Sequence, residues 1–118
     1  IMAKQTVRIY HNPRCGKSRE TLALLRARGI EPEVIEYLKT PPRAADVKRL
    51  VRQLGIDPHA LLRSKEDAYK TMELSTSSGL DEIARAIEQE PILMERPIVV
   101  VGDRAALARP PENVLALL

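Results

Sequence analysis

The sequence of 118 residues predicts an α/β fold built on a four-stranded mixed sheet, and three observations carry this prediction. Two apolar runs, Val7–Tyr10 and Pro32–Tyr37, are separated by about one helix of chain, which is the spacing of a βαβ unit. The middle of the chain, about residues 40–92, has helical periodicity. The valine-rich run Ile98–Val101 then precedes a glycine-containing turn, which predicts a β-hairpin.

The first part of the chain has the pattern of the βαβ unit. The strand at Val7–Tyr10 is stopped by Asn12-Pro13, and the helical pattern from Lys17 to Arg28 ends at Gly29. A helical crossover makes the two strands parallel and is right-handed. The loop between strand and helix therefore follows the carboxyl end of a strand, where ligands gather in open α/β sheets.

The middle of the chain is predicted to be a helical insertion. Thr40 is expected to cap a helix with Pro41 at its first position, and apolar residues then repeat at helical spacing until Gly55. A short helical turn is expected from Asp57 to Leu62, and a further helix around Leu80–Ile87 ends before the next proline.

The last part of the chain predicts a ββα unit. Strands at Ile98–Val101 and Arg104–Ala108 are antiparallel because a hairpin joins them, and Pro110-Pro111 is expected to start a last helix. The order βαβ, helical insertion and ββα is that of a thioredoxin-like fold. Since the length suits one core and no linker interrupts it, residues 1–118 are expected to form a single domain.

The composition restricts the partners. A formal net charge of +3, with acidic residues interleaved among basic ones, suits a small anion better than nucleic acid, and the lack of Phe and Trp leaves few stacking platforms. No run approaches the roughly 20 apolar residues of a membrane span, and no signal-peptide core is present, so a cytoplasmic protein without membrane contact is expected. Two histidines and one cysteine have no metal-ligand spacing.

The single cysteine, Cys15, lies where the first helix is expected to open. A helix start leaves backbone N–H groups unpaired and carries partial positive charge, which favours a thiolate and a bound anion. Because Arg14 and Lys17 flank it, Cys15 is predicted to be ionised at neutral pH, with Arg14, Gly16, Lys17 and Ser18 as an anion-binding loop. A lone cysteine forms no internal disulfide, which fits a reducing cytosol and requires an external thiol to resolve oxidised Cys15.

The residues of this loop do not match two known phosphate-binding motifs, and other roles for them stay open. A Walker motif requires glycine where His11 stands, and a phosphatase loop of the form C-x5-R requires arginine where Thr21 stands. A small buried thiol remains the structural alternative for Cys15. His11 either hydrogen-bonds within the loop or is an ordinary strand-end residue, Arg19 is a further candidate anion ligand, and His59 is expected to be structural.

Three arginines form a second signal. Arg63, Arg96 and Arg109 each stand at an element boundary, after an apolar segment or before a proline. Together with a thiolate, their forked donors would clamp a tetrahedral oxyanion. Pro97, which follows Arg96, is a candidate for a cis peptide bond.

Several segments carry a family resemblance. They are Ile9-Tyr10-His11-Asn12-Pro13-Arg14-Cys15-Gly16-Lys17-Ser18-Arg19, Glu95-Arg96-Pro97-Ile98-Val99-Val100 and Arg109-Pro110-Pro111-Glu112, with Leu61-Leu62-Arg63 and Glu66 to Tyr69 between them. Together they resemble the glutaredoxin-dependent arsenate reductase (ArsC-type) family, and in particular its shorter members. The likeness spans nearly the whole chain and implies a thioredoxin-like fold.

The resemblance also implies a chemistry. In such enzymes Cys15 would attack arsenate, while Arg63, Arg96 and Arg109 fall on the family's three anion-binding arginines and His11 matches a histidine associated with thiolate stabilisation. Glutathione, as co-substrate, would take on the arsenic–sulfur adduct, and glutaredoxin would complete the reduction to arsenite. No bound cofactor is implied. The single cysteine agrees with this scheme, because an external thiol has to resolve the adduct.

Other functions remain open at this point. A reductase of another oxidised substrate would keep the same loop, and a monothiol transferase acting on glutathione mixed disulfides would need Cys15 but no arginine clamp. A thioredoxin-like adaptor that binds RNA polymerase fits less well, because such regulators resemble C-x-x-C switches and Ser18 stands at the second cysteine position.

Overall fold

A computed structural model describes residues 5–118 of the chain. It contains strands β1 (Val7–His11), β2 (Glu33–Glu36), β3 (Ile98–Val101) and β4 (Arg104–Leu107), α-helices α1 (Gly16–Ala27), α2 (Ala44–Leu54), α3 (Asp67–Thr71) and α4 (Leu80–Gln89), and 3-10 helices Pro58–Leu61, Pro91–Leu93 and Pro111–Leu117. These elements form two compact units, a sheet unit (described residues 5–36 and 96–118) and a helical unit (residues 37–95). A single domain over the whole chain stays a prediction.

The sheet has the mixed topology that the sequence predicts. Its strand order is β2-β1-β3-β4, with β1 parallel to β2 and antiparallel to β3, and with β3 antiparallel to β4. The βαβ unit, the ββ hairpin and the helical segment between them are therefore all present, and the predicted α/β, thioredoxin-like class is confirmed.

The strand register brings three chain segments to one edge of the sheet. Tyr10 of β1 pairs with Ile98 of β3, and Ile98 pairs with Leu107 of β4. The ladder continues one step further, because the Ala108 N–H donates to the Pro97 carbonyl at 3.0 Å. The residues that follow β1, precede β3 and follow β4 consequently share this edge.

The core of the sheet unit lies between one face of the sheet, α1 and the last 3-10 helix. Its buried members are aliphatic side chains from all of these elements, namely Ile9, Leu25, Val99, Val101, Ala108, Val114 and Leu117. Gly29 ends α1 with a positive φ of 77°, and Gly102 turns the hairpin with a φ of 60°, a region that only glycine enters without strain. The core thereby holds α1, and the loop before it, against β1.

The helical unit is built around α2 and α4, whose apolar faces are buried. Lys48 of α2 forms an ion pair with Asp81 of α4. Two loop segments cross beside these helices, where the Arg63 N–H donates to the Leu93 carbonyl at 2.7 Å and the Glu95 N–H donates to the Leu61 carbonyl at 2.8 Å. These bonds fix the backbone at Arg63.

The structure corrects the predicted start of α2. The helix begins at Ala44 with Arg43 as its N-cap, so Thr40 is not the cap and Pro41 is not the first helical residue. Two causes act together. A proline at position 42 disfavours helical geometry at Pro41, and the Asp46 carboxylate accepts the Arg43 N–H at 3.0 Å, which places the cap three residues later than predicted.

Other elements also differ from the expectations. The strand expected over Pro32–Tyr37 is confined to Glu33–Glu36. The last helix, expected to start at Pro110-Pro111, is a 3-10 helix over Pro111–Leu117. The short α3 was not predicted, because five residues are too few to display a helical apolar period.

Residues 5–118 include no helix that is long and apolar enough to cross a membrane.

Replacing a core valine of the sheet unit should destabilise the protein. We expect Val99→Ala to lower the free energy of unfolding by about 2 kcal/mol, because Val99 is fully buried and two methyl groups leave a cavity. Urea denaturation followed by circular dichroism measures this change. Val34→Ala is the matched control on β2, since Val34 is 37% exposed, and an equal loss in both variants would contradict the proposed core.

Candidate active site

Cys15 lies in the short loop that joins β1 to α1. It is the N-cap residue of α1, with extended backbone angles of φ −93° and ψ 122°, and its carbonyl accepts the Arg19 N–H at 3.0 Å. The residue is partly exposed, and its side chain makes no capping hydrogen bond to the helix. Cys15 is therefore not a fully buried residue, which the alternative of a small buried thiol requires.

Asn12 holds this loop through three polar groups. Its side-chain oxygen accepts the Arg14 N–H at 3.0 Å, its carbonyl accepts the Cys15 N–H at 2.9 Å, and its own N–H donates to Ser18 Oγ at 3.0 Å. The Arg19 guanidinium donates to the Pro13 carbonyl at 2.9 Å, so it braces the loop, and its role as an anion ligand stays a prediction. The loop is thus rigidly shaped by its own bonds.

The helix start leaves backbone donors beside Cys15. The N–H groups of Gly16, Lys17 and Ser18 occupy the first turn of α1, where no intrahelical acceptor exists. The first turn contains no acidic residue, and the side chains of Arg14 and Lys17 are exposed. The N-terminal end of the α1 macrodipole is positive, as are the side chains of Arg14 and Lys17. The surroundings of Cys15 therefore favour negative charge.

Ser18 lies in the first turn of α1, within the predicted anion-binding loop. Its side chain is fully buried, and its oxygen lies 2.6 Å from His11 Nδ1 and 3.0 Å from the Asn12 nitrogen. An anion approaching from solvent does not reach this hydroxyl, although the Ser18 backbone N–H still belongs to the helix start. The Ser18 side chain therefore ties the loop to β1, and the part of Ser18 in an anion-binding loop stays a prediction that concerns its backbone N–H.

His11 is the last residue of β1, and its ring forms a hydrogen bond with Ser18 in the loop. Of the two roles that the sequence allowed for His11, the structure shows the hydrogen bond within the loop. The ring is buried, with 6% of the residue exposed. Burial is the main cause that lowers the pKa of His11 from its ordinary value; the cations Arg26 and Arg19 lower it further, and Glu36, its cross-strand neighbour on β2, opposes them. A neutral imidazole is consequently favoured near pH 7.

Arg96 and Arg109 lie at the same sheet edge as Cys15. Arg96 precedes β3 by two residues and Arg109 follows β4 by two, and Arg109 Nη1 donates to the Arg96 carbonyl at 3.1 Å. The peptide bonds Arg96–Pro97 and Arg109–Pro110 are both cis. The register thus brings two of the three predicted arginines and the cysteine to one edge.

The Arg96 guanidinium has unused donors. Its Nε and Nη1 atoms are buried, and neither finds a hydrogen-bond partner among residues 5–118. A buried polar group without a partner is costly, and a charged one more so, which makes such an atom a candidate ligand contact. An oxyanion would supply the missing acceptors.

Arg63 belongs to the helical unit. Its side chain is half-buried, with Nη1 at 3.0 Å from Glu66 and Nε at 3.7 Å from Glu95. Two carboxylates therefore hold this guanidinium in place and offset its charge.

His59, in the same unit, lies 2.8 Å from the Tyr69 hydroxyl with the two rings edge to face, which agrees with the structural role expected for it.

Sequence reasoning missed the role of Asn12. The Asn12-Pro13 pair is a turn signal, but a turn signal does not show which groups the asparagine will engage.

Within residues 5–118, no group of three or more His, Cys, Asp or Glu side chains is arranged to hold a metal ion.

Comparisons with known proteins extend this picture. A family model described as the ArsC family matches residues 10–117. The arsenate reductase of Neisseria meningitidis serogroup A (strain DSM 15465 / Z2491) is 44% identical over 114 residues, covering 95% of this chain and 97% of that protein. The uncharacterized protein YfgD of Escherichia coli (strain K12) is 51% identical over 119 residues, covering 99% of each chain.

The chain is also similar to a solved structure. The arsenate reductase from Vibrio cholerae superposes on this chain with a TM-score of 0.92 and 47% sequence identity, covering 98% of this chain and 100% of that one. The similarity therefore extends through both compact units.

The stability of the protein should depend on pH through His11. The unfolded chain takes up a proton at this residue near pH 6.5, whereas the folded chain does so only at lower pH. The free energy of unfolding is therefore expected to fall as the pH drops below about 6.5, by at most about 1.4 kcal/mol per pH unit for one proton. Urea titrations between pH 7.5 and 5.5 measure this slope.

Two variants test whether His11 causes the dependence of the free energy of unfolding on pH. His11→Asn removes the titrating group while retaining an acceptor near the Nδ1 position, so the slope should flatten. An unchanged slope in His11→Asn, or its loss in His59→Gln, would contradict the assignment.

Proposed function

Because the chain belongs to the ArsC family, we propose that it is an arsenate reductase that converts arsenate to arsenite through an adduct on Cys15. The observation that carries the proposal is the shared sheet edge. The backbone segments that carry Cys15 and Arg96 meet at this edge; Cys15 is partly exposed at a helix start, and Arg96 has two buried nitrogens without a partner among residues 5–118. A tetrahedral oxyanion is the ligand class that both features suit.

The first step is attack of the Cys15 thiolate on arsenic(V). A sulfur–arsenic bond forms, and one arsenate oxygen leaves as water after taking up protons. The attack requires an ionised sulfur, which the positive end of α1 and the exposed Arg14 and Lys17 favour. The backbone N–H groups of Gly16 and Lys17, which have no intrahelical acceptor, would bind arsenate oxygens as the adduct forms.

Arg96 and Arg109 would bind the remaining charge. The Nε and Nη1 atoms of Arg96 lack an acceptor among residues 5–118, and the side chain would turn toward the anion, whose oxygens supply that acceptor. Arg109 steadies this segment through the Arg96 carbonyl. Arg63 is proposed as an anion-binding arginine on the family resemblance alone; within the helical unit its guanidinium is paired with Glu66 and Glu95.

The second step needs thiols from other molecules. Reduction of arsenic(V) to arsenic(III) takes two electrons, which two thiols supply when they form one disulfide. Since the sequence contains one cysteine, at least one of these thiols is external. We assign glutathione as the co-substrate that takes on the adduct and glutaredoxin as the protein that completes the reduction, which requires a reducing compartment such as the cytoplasm. No resident cofactor enters this scheme.

Arsenite formation tests the proposal directly. We expect turnover in the presence of arsenate, glutathione and glutaredoxin, and none with Cys15→Ser. Arg96→Ala should lower kcat/KM for arsenate by roughly a hundredfold, the scale of a lost oxyanion donor. Arg63→Ala and Arg109→Ala should also lose activity, whereas Arg28→Ala, which removes an exposed arginine at the end of α1, should not.

Three outcomes would count against it. Turnover by Cys15→Ser would exclude the thiolate adduct, and turnover without glutathione would exclude it as the co-substrate. Reduction of glutathione mixed disulfides, unaffected by Arg96→Ala and without arsenite formation, would favour the monothiol transferase instead.

Anion binding can be measured apart from turnover. Arsenate, or sulfate as its mimic, should slow the alkylation of Cys15 by iodoacetamide, because an anion at the helix start covers the sulfur. The protection should disappear in Arg96→Gln, which removes the charge while keeping a polar side chain. Equal protection in wild type and Arg96→Gln would show that the anion does not use this guanidinium.

A further inference from the structure

A fully buried hydroxyl joins the active-site loop to the end of β1. Ser18 Oγ lies 2.6 Å from His11 Nδ1 and 3.0 Å from the Asn12 nitrogen, and both Ser18 and His11 are buried. Serine at this third position of a helix is usually solvent-exposed or bonded to its own turn. Here it makes contacts six and seven residues back along the chain instead.

The donors and acceptors available at Ser18 Oγ indicate the direction of these two hydrogen bonds. The Asn12 N–H can only donate, so Ser18 Oγ accepts from it. The hydroxyl proton of Ser18 then needs an acceptor, and His11 Nδ1 provides one only if it is unprotonated. The opposite arrangement, with Nδ1 as donor, would leave the buried hydroxyl proton unpaired, which costs about 1–3 kcal/mol.

The groups around the ring favour a neutral imidazole, the state in which Nδ1 can be unprotonated. Arg19 and Arg26 of α1 disfavour a charged imidazole, and burial does so more strongly. Glu36 on β2 acts in the opposite direction, and it is the cross-strand partner of His11. The β3 residue next along the ladder, opposite Tyr10, is the uncharged Ile98.

We propose that Ser18 is a positioning residue for Cys15: its hydroxyl donates to Nδ1 of a neutral His11 and accepts the Asn12 N–H, which holds the loop against β1. The effect reaches Cys15 through Asn12, because the Asn12 carbonyl accepts the Cys15 N–H at 2.9 Å. His11 then contributes to thiolate reactivity by fixing the loop, and not by supplying a positive charge. This inference rests on the proposed role of Cys15 as the nucleophile.

The tautomer of His11 is the first test, on the unmodified protein. Long-range proton–nitrogen NMR distinguishes the two ring nitrogens, and His59→Gln leaves His11 as the single histidine for assignment. At pH 7.5 we expect Nε2 to carry the proton and Nδ1 to be bare. A protonated Nδ1 would overturn the proposal, whatever the variants do.

The second test compares two buried hydroxyls on α1. Ser18→Ala should slow alkylation of Cys15 by iodoacetamide at pH 7 roughly threefold, the factor expected from the low end of a lost hydrogen bond, and move the pH profile of the reaction to higher pH. Thr21→Val is the matched control, because Thr21 is equally buried and its hydroxyl donates to the Lys17 carbonyl, not to His11. Its profile should match that of the wild type.

Equal shifts in both variants would mean a general loosening of α1, and no shift in Ser18→Ala would mean that the loop holds its shape without the hydroxyl; either result overturns the proposal. If Ser18→Ala does not fold by circular dichroism, the tautomer measurement decides. Alkylation does not depend on arsenate, so a protein that fails to form arsenite but shows these shifts would lose the proposed function and keep the positioning role.

Discussion

The antiparallel pairing of β1 with β3 is the constraint on which the candidate site depends. It fixes Tyr10 opposite Ile98, and the hairpin then fixes Ile98 opposite Leu107. With this register, the Cys15 loop, the Arg96 segment and the Arg109 segment emerge at one sheet edge, although about 80 residues of chain separate the first from the second. A slip of one residue would turn the side chains of β3 to the opposite face and bury the wrong set.

The polar groups of the loop divide into two classes. Acceptors in the loop, including the Asn12 side chain and the Pro13 carbonyl, are used internally by backbone and guanidinium donors. Donors remain, both at the first turn of α1 and on Arg96. An excess of donors over acceptors is the arrangement that binds an oxyanion, because arsenate and similar ions only accept hydrogen bonds when fully ionised.

The arginines differ in how they are held. Arg19 and Arg109 donate to backbone carbonyls, so part of their role is to fix loop shape. Arg63 is held by two carboxylates, and Arg96 has two nitrogens without an acceptor in the part of the chain that the structure describes. The guanidinium with unmet donors gains most from an anion, which is why Arg96 carries the proposed function.

The sequence by itself determined the strands, the helix that opens after Cys15 and the position of that cysteine, because apolar periodicity, Gly29 and the Asn12-Pro13 turn are local signals. It did not determine the start of α2 at Ala44, which depends on the Asp46 side chain reaching back to Arg43. Nor did it reveal that Ser18 faces inward or that two nitrogens of Arg96 find no acceptor among residues 5–118. Which way a hydroxyl or a guanidinium turns depends on partners brought from other strands and helices, and only the tertiary structure decides those.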